Sequence, residues 1–179
     1  MNPLTLFCRS REFRQGLERS RPHLYRLAYS WSHDPALSDD LVQETLARAL
    51  KNGYQLRDRG ALDGWLFGIL VNCWRDHFRR ARPTEDIDNH PLTHNVTPEH
   101  EHERQRITDK VRQAVGKLPA GQRHVLTLVD LEGCTYAEVA EILEIPIGTV
   151  MSRLCRARRA LADRLLDFQP AEAKLRRVV

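Results

Sequence analysis

The stretch TYAEVAEILEIPIGTVMSRLCRARRAL, residues 135–161, admits few folds. Thr135 followed by Glu138 is a capping box: the hydroxyl can receive the amide three residues on, and the carboxylate can reach back. Tyr136, Val139, Ala140 and Leu143 then recur at helical spacing and form one apolar stripe. Pro146 and Gly148 interrupt the pattern, as a short turn would. A second stripe follows at Val150, Leu154, Ala157 and Leu161, and the face it leaves free carries Ser152, Arg153, Arg156 and Arg159. Two helices, a tight turn and a basic second helix are the layout of a helix-turn-helix, whose second helix enters the DNA major groove. An ordinary helical hairpin with a solvated basic face shares the periodicity. Against it, the five arginines between 153 and 164 meet a single acid, Asp163, and the small Ala140 stands where two helices must approach closely.

The rest of the chain is also helical in pattern, with no strand alternation of any length and no internal repeat. Its 179 residues allow one ordinary domain or two small ones. The net charge of +4 and a pI near 9.1 favour a polyanionic partner. No stretch approaches the roughly 20 apolar residues of a membrane span, so no membrane insertion is expected. The N-terminus, MNPLTLFCRSREF, lacks the apolar run of a secretory signal. Cys8, Cys73, Cys134 and Cys155 are scattered, with no Cys-x-x-Cys pair, which argues against a zinc ribbon or a disulfide framework. Reduced thiols and a cytoplasmic location fit best.

Charge is segmental. Residues 1–82 hold 14 basic and 9 acidic side chains, and residues 104–179 hold the same numbers. Between them, residues 83–103 hold six acids (Glu85, Asp86, Asp88, Glu99, Glu101, Glu103) and no Lys or Arg. That connector also contains Pro83, Pro91 and Pro98 and few large apolar residues. It cannot bury enough to fold alone and reads as an extended acidic linker. The expectation is an all-α chain of two small helical domains, 1–82 and 104–179.

The first block predicts three helices. One covers residues 11–32. The next starts at Asp34-Pro35, with the acid as cap and the proline in the first turn, and runs to about Asn52, where Gly53 can stop it. Its apolar set is Leu37, Leu41, Val42, Thr45, Leu46, Ala49 and Leu50. The third spans about 62–81, with Trp65, Leu66, Ile69, Leu70, Cys73, Trp74 and His77 at helical spacing. It ends in a basic cluster, Arg75, Arg79, Arg80 and Arg82. The second block predicts helices at about 104–117 and 120–131 ahead of the helix-turn-helix, with Leu118-Pro119 between them.

Three segments, DDLVQETLARAL (39–50), WLFGILVNCWRDHFRR (65–80) and residues 118–161, together resemble a group IV, or extracytoplasmic-function, sigma factor. The resemblance covers nearly the whole chain, in the order and spacing of that family's two domains. It implies a transcription-initiation subunit that binds core RNA polymerase through the beta-prime and beta subunits and carries it to promoter DNA with −10 and −35 elements. It implies no catalytic residues and no cofactor, since polymerase performs the chemistry. Control by an anti-sigma factor is implied too. No further domain is expected beyond about Phe168, which places signal sensing in another protein.

The resemblance assigns roles residue by residue. Asp39, Asp40, Gln43 and Glu44, with Leu46 as an apolar anchor, match the helix that binds the beta-prime clamp helices. An acidic, amide-bearing face suits a basic partner helix. Helix-dipole complementation explains Asp39 and Asp40 equally well. Asn72 and Asp76, four residues apart, with Arg75, Arg79 and Arg80, match the −10 reader; amides and carboxylates bond base edges and arginines neutralise phosphates. The loop Gly53–Ala61 matches the family's specificity loop, where Tyr54, Gln55, Arg57 and Arg59 offer stacking, hydrogen bonding and charge to an extruded base. Core packing is the simpler reading of Trp65 and Trp74. Ser152, Arg153 and Arg156 are expected at the −35 major groove, with Thr149, Arg158 and Arg159 on phosphates. Two departures stand out: Met151 replaces a commonly basic residue, and Glu144 replaces a glycine common before the turn, which implies a strained or looser turn.

Three further readings stay open. The acidic linker matches a segment that enters the polymerase near its active centre, where negative charge can mimic RNA; tethering and solubility explain it equally. His90, His94, His100 and His102 could bind a transition metal, but their spacing suits no compact helical site, and no metal site is assigned. A one-component helix-turn-helix regulator, dimerising through residues 11–81 and binding a palindrome unaided, is the alternative function.

Overall fold

The computed structural model describes residues 11–56, 58–81 and 102–166, with the side chains of 80, 81, 102–107 and 166 excluded. Among the described residues there is no strand. Seven α-helices are described: α1 (Arg11–Ser32), α2 (Pro35–Asn52), α3 (Leu62–Ala81), α4 (His102–Gly116), α5 (Ala120–Leu126), α6 (Tyr136–Leu143) and α7 (Ile147–Leu166). None is long and apolar enough to cross a membrane. Arg57, the linker acids Glu85, Asp86, Asp88, Glu99 and Glu101, and His90, His94, His100 and Cys8 lie outside the described residues, whereas His102 and Glu103, placed in the linker by the sequence reading, form the start of α4.

The first bundle is α1–α3. Phe13, Leu17, Leu24, Leu27 and Trp31 repeat at three- and four-residue steps along α1 and are all buried. Gly16 is buried on the same helix, where a Cβ would stand 2.7 Å from the Leu62 side chain. Helix α2 starts as its sequence predicts: the Asp34 carboxylate accepts from the amides of Ala36 (2.8 Å) and Leu37 (3.2 Å), with Pro35 in the first turn. Its end differs from expectation. Gly53 is not left-handed (φ −55) but right-handed, and the chain tightens into a 3₁₀ turn over Gly53–Gln55. The Leu56 amide bonds the Gly53 carbonyl and the Leu56 side chain is buried, so burial of that leucine sets the turn. Leu50, grouped with the apolar set, is 54% exposed, because one position past Ala49 rotates it about 100° off the buried stripe.

The second bundle is α4–α7. Pro119 precedes α5, where its missing amide costs nothing. The stretch expected as one helix over 120–131 changes character midway: Ala120–Leu126 is α-helical and Thr127–Leu131 widens into a π turn, closed by the Glu132 amide on the Thr127 carbonyl. Thr127 makes the wider turn possible by placing its hydroxyl near the carbonyls of Arg123 (2.9 Å) and His124 (3.2 Å). The capping box at Thr135 and Glu138 is formed reciprocally.

Glu144 resolves the missing-glycine departure. It sits in the left-handed region (φ 58, ψ 44) and ends α6, while the next amide, of Ile145, bonds back to the Ala140 carbonyl. A side chain in that region costs about 1–2 kcal/mol, partly offset by the chain entropy a glycine would lose. Glu144→Gly is therefore expected to raise stability by about 0.5–1 kcal/mol, read as a higher urea midpoint.

The bundles pack on each other through α1 and α3 on one side and α4, α5, the π turn and α6 on the other. Trp31 is the hub. Its ring lies 5.8 Å from Trp74 and 4.5 Å from His124, and its indole N–H donates to the Thr127 hydroxyl at 2.9 Å. The buried Arg123 guanidinium donates to the Trp31 carbonyl.

Candidate polymerase and nucleic-acid surfaces

The cap at Asp34 sets the rotation of α2, and its buried stripe (Leu41, Val42, Thr45, Ala49) leaves Asp39, Asp40, Gln43 and Glu44 exposed together on the outer face. Leu46 is half-buried against the core rather than free. Beside this face runs a groove of about 470 Å³, lined by Leu37, Asp40, Leu41, Glu44, Asp76 and His77 among others. Arg48 crosses its floor, donating to Glu44 (2.7 Å) and to Asp76 on α3 (2.9 Å). These bonds raise the guanidinium's already high pKa and lock α2 to α3. Burial pushes the nearby Cys73 thiol up, which leaves it protonated and unreactive.

Helix α3 and the loop before it carry the expected −10 residues. Tyr54 is 61% exposed, and Gln55, Arg59 and Asn72 are exposed as well. Arg59 stands 3.7 Å from Glu12. Asp76 is half-buried and paired with both Arg48 and Arg79 (3.0 Å), so its carboxylate serves the fold in this state. Arg75 turns toward the second bundle, donating to the Leu143 carbonyl at 2.8 Å. The Arg80 side chain lies outside the described set. Trp74 is buried and Trp65 half-buried on the core, as packing residues.

On α7 the buried stripe Val150, Leu154 and Ala157 points inward, and Met151 (54% exposed), Cys155, Arg156 and Arg159 share the open face. Ser152 borders it, its hydroxyl donating to the Thr149 carbonyl at 3.1 Å. Thr149 is half-buried at the helix start. Arg153 lies on the flank, where its guanidinium covers Gly121 so closely that a Cβ there would be 2.8 Å away. Arg158 is held at the other edge by a two-bond pair with Asp130 (2.6 and 3.2 Å). Arg156 and Arg159 are thus the arginines most open to a groove.

Sequence reasoning overlooked Arg123, His124 and Glu132. All three serve contacts between bundles, and periodicity cannot separate a face buried within a bundle from one buried between two. Burial among Arg123, Arg75 and Arg153 pushes His124 down to about 3. The sign follows. A histidine held neutral contributes fully above its ordinary pKa of about 6.5, and that contribution is lost as pH falls from there toward 3. At pH 5 the loss reaches roughly 2 kcal/mol by the one-unit conversion of about 1.4 kcal/mol. The urea midpoint should therefore fall between pH 7 and pH 5, and His124→Gln should remove most of that fall.

Two family descriptions match the chain: sigma-70 region 2 over residues 17–84 and sigma-70 region 4 over residues 108–161. The ECF RNA polymerase sigma factor EcfG of Rhodopseudomonas palustris is 38% identical over 155 residues, covering 83% of this chain and 85% of its own. The ECF RNA polymerase sigma factor SigM of Mycobacterium tuberculosis is 33% identical over 170 residues, covering 92% and 82%. Among solved structures, the sigma factor RpoE of Bartonella quintana, crystallised with the anti-sigma factor NepR, superposes with a TM-score of 0.68. It is 28% identical, covering 87% of this chain and 98% of its own.

Proposed function

The chain belongs to the sigma-70 family, as an extracytoplasmic-function sigma factor, and from that premise we propose which of its surfaces meets each partner. The exposed face of α2, Asp39, Asp40, Gln43 and Glu44, docks a basic helix of core RNA polymerase, with the neighbouring groove taking an apolar side chain. The loop after α2 and the outer face of α3, with Tyr54, Gln55, Arg59, Asn72 and Arg75, meet the opened −10 strand. Helix α7 enters the −35 major groove, where Arg156 or Arg153 can make bidentate contact to guanine, worth about 1–3 kcal/mol of discrimination. Arg159 and Thr149 meet phosphates, and Ser152 borders the base edges. The observation that carries this reading is the open Arg156–Arg159 face of a helix-turn-helix in a chain that also presents an uncovered acid–amide face on α2.

Family membership sets aside the one-component dimeric regulator. The polymerase dependence tests the rest: run-off transcription across a promoter library should require both this protein and core polymerase. Tight binding of a palindrome by the protein alone, with no effect on polymerase, would overturn the proposal. The work is expected in the cytoplasm, on the chromosome. A relative is solved with an anti-sigma factor, and a regulator of that kind is expected to mask the α2 and α7 faces here.

A further inference from the structure

The open face of α7 is bounded by two occupied arginines. At one edge Arg158 pairs with Asp130 of the π turn (2.6 and 3.2 Å), and at the other the Arg153 guanidinium lies over Gly121 of α5. These two contacts fix the roll of the helix. At about 100° per residue, the sector between them takes in Met151, Cys155, Arg159, Ser152 and Arg156, in that order.

One side of this sector is apolar. Met151 is 54% exposed and Ile147, one turn before it, is 50% exposed. Cys155, one turn after it, is exposed as well. The three stand at i, i+4 and i+8, so they form a ridge about 12 Å long at 1.5 Å per residue. A single exposed apolar side chain needs no explanation. Here the side chains line up on three successive turns, beside Arg156 and Arg159. Residues 147–162 contain no Asp or Glu, so nothing on this stretch of α7 repels a phosphate backbone that brings the ridge against base edges.

We propose that Met151 reads the C5-methyl group of a thymine in the −35 element, with Ile147 and Cys155 completing the apolar contact on either side. This rests on the −35 assignment of α7 above. Methionine has no hydrogen-bond donor and only a weak thioether acceptor. In the major groove guanine presents two acceptors, cytosine a donor, adenine one of each, and thymine an acceptor with a methyl group. A thioether packed on the first three strands their polar groups away from water, whereas on thymine it covers the methyl. Its three rotatable bonds let it follow that methyl. Its place near the start of α7 is where the recognition helix of a helix-turn-helix meets base edges. A basic residue at 151 would select guanine through O6 and N7. Methionine therefore exchanges a hydrogen-bond code for a methyl contact at one base pair, while Arg156, about 140° round the helix, keeps its reach to guanine.

The test uses the full chain with core polymerase on a duplex promoter taken from the run-off library. Each thymine of the −35 element is replaced in turn by 2′-deoxyuridine, which removes the methyl and keeps every hydrogen-bonding group. Holoenzyme affinity is read by competition against the labelled unmodified promoter. One thymine should show about a fourfold loss, the value of burying one methyl group. In Met151→Ala, which should fold normally because the residue is exposed, that fourfold ratio should fall to about one. A merely structural role for Met151 would weaken binding to both DNAs alike and leave the ratio standing. Met151→Lys should change the preferred base at that position from thymine to guanine when the library is rerun. A −35 element in which no thymine-to-uracil change matters, or an undiminished ratio in Met151→Ala, overturns the inference. Failure of the −35 assignment reads differently: scrambling the whole element would then leave the affinity of the unaltered holoenzyme unchanged.

Discussion

Replacing Trp31 by alanine is expected to cost about 3–5 kcal/mol of stability, the range for truncating a large buried aromatic. Trp31 is fully buried in the first bundle, packs edge-on against Trp74, and reaches the second bundle through His124 and Thr127. Truncation leaves a cavity on one side and removes the ring that covers His124 on the other. Far-UV circular dichroism during urea unfolding measures it. Trp31→Phe separates the two contributions: it keeps most of the packing and forfeits the indole N–H bond, for about 1 kcal/mol. A loss below about 1 kcal/mol for the alanine variant would mean that Trp31 is not the hub of both contacts.

Asp40→Arg combined with Gln43→Ala is expected to reduce run-off transcription about 100-fold at limiting core polymerase. That corresponds to about 2.8 kcal/mol of docking free energy at 1.4 kcal/mol per tenfold. The size follows from replacing attraction with like-charge repulsion toward a basic partner helix and removing an amide beside it. Both residues are exposed, and the Glu44–Arg48–Asp76 chain that joins α2 to α3 is left intact. The melting midpoint should move little, because exposed substitutions away from such features stay within about 0.5 kcal/mol. Pull-down of core polymerase together with transcription yields checks it. Retained polymerase binding by a folded double variant would place the docking surface elsewhere.

These expectations draw on different levels of the molecule. The helices were readable because each carries its own periodic stripe, and three of their ends because capping is local: Asp34 before Pro35, Thr135 with Glu138, and Glu144 in a glycine's place. The π turn at Thr127 was not readable, because it depends on a threonine hydroxyl finding two carbonyls and an indole from another bundle. Arg153 illustrates the limit on one helix. Its position beside Ser152 and Arg156 gives it a place near the groove-facing side, and the structure lays its guanidinium over Gly121 on the flank, a placement set by the close approach of α5.

By itself, then, the order of residues determined the helical class, the helix-turn-helix, the basic blocks around an acidic strap and the membership of the sigma-70 family. The helices and the helix-turn-helix rest on patterns within about twenty residues, where backbone geometry dictates which side chains share a face; the family rests on the resemblance of three segments in order and spacing along the chain. Only the tertiary structure decided that Glu132 meets Arg26, that His124 lies between two tryptophans and that Gln55 and Asn72 share a cleft with Glu138 and Glu141. Those pairings join positions 50 to 106 residues apart, and no local periodicity encodes which buried face will be shared between two bundles.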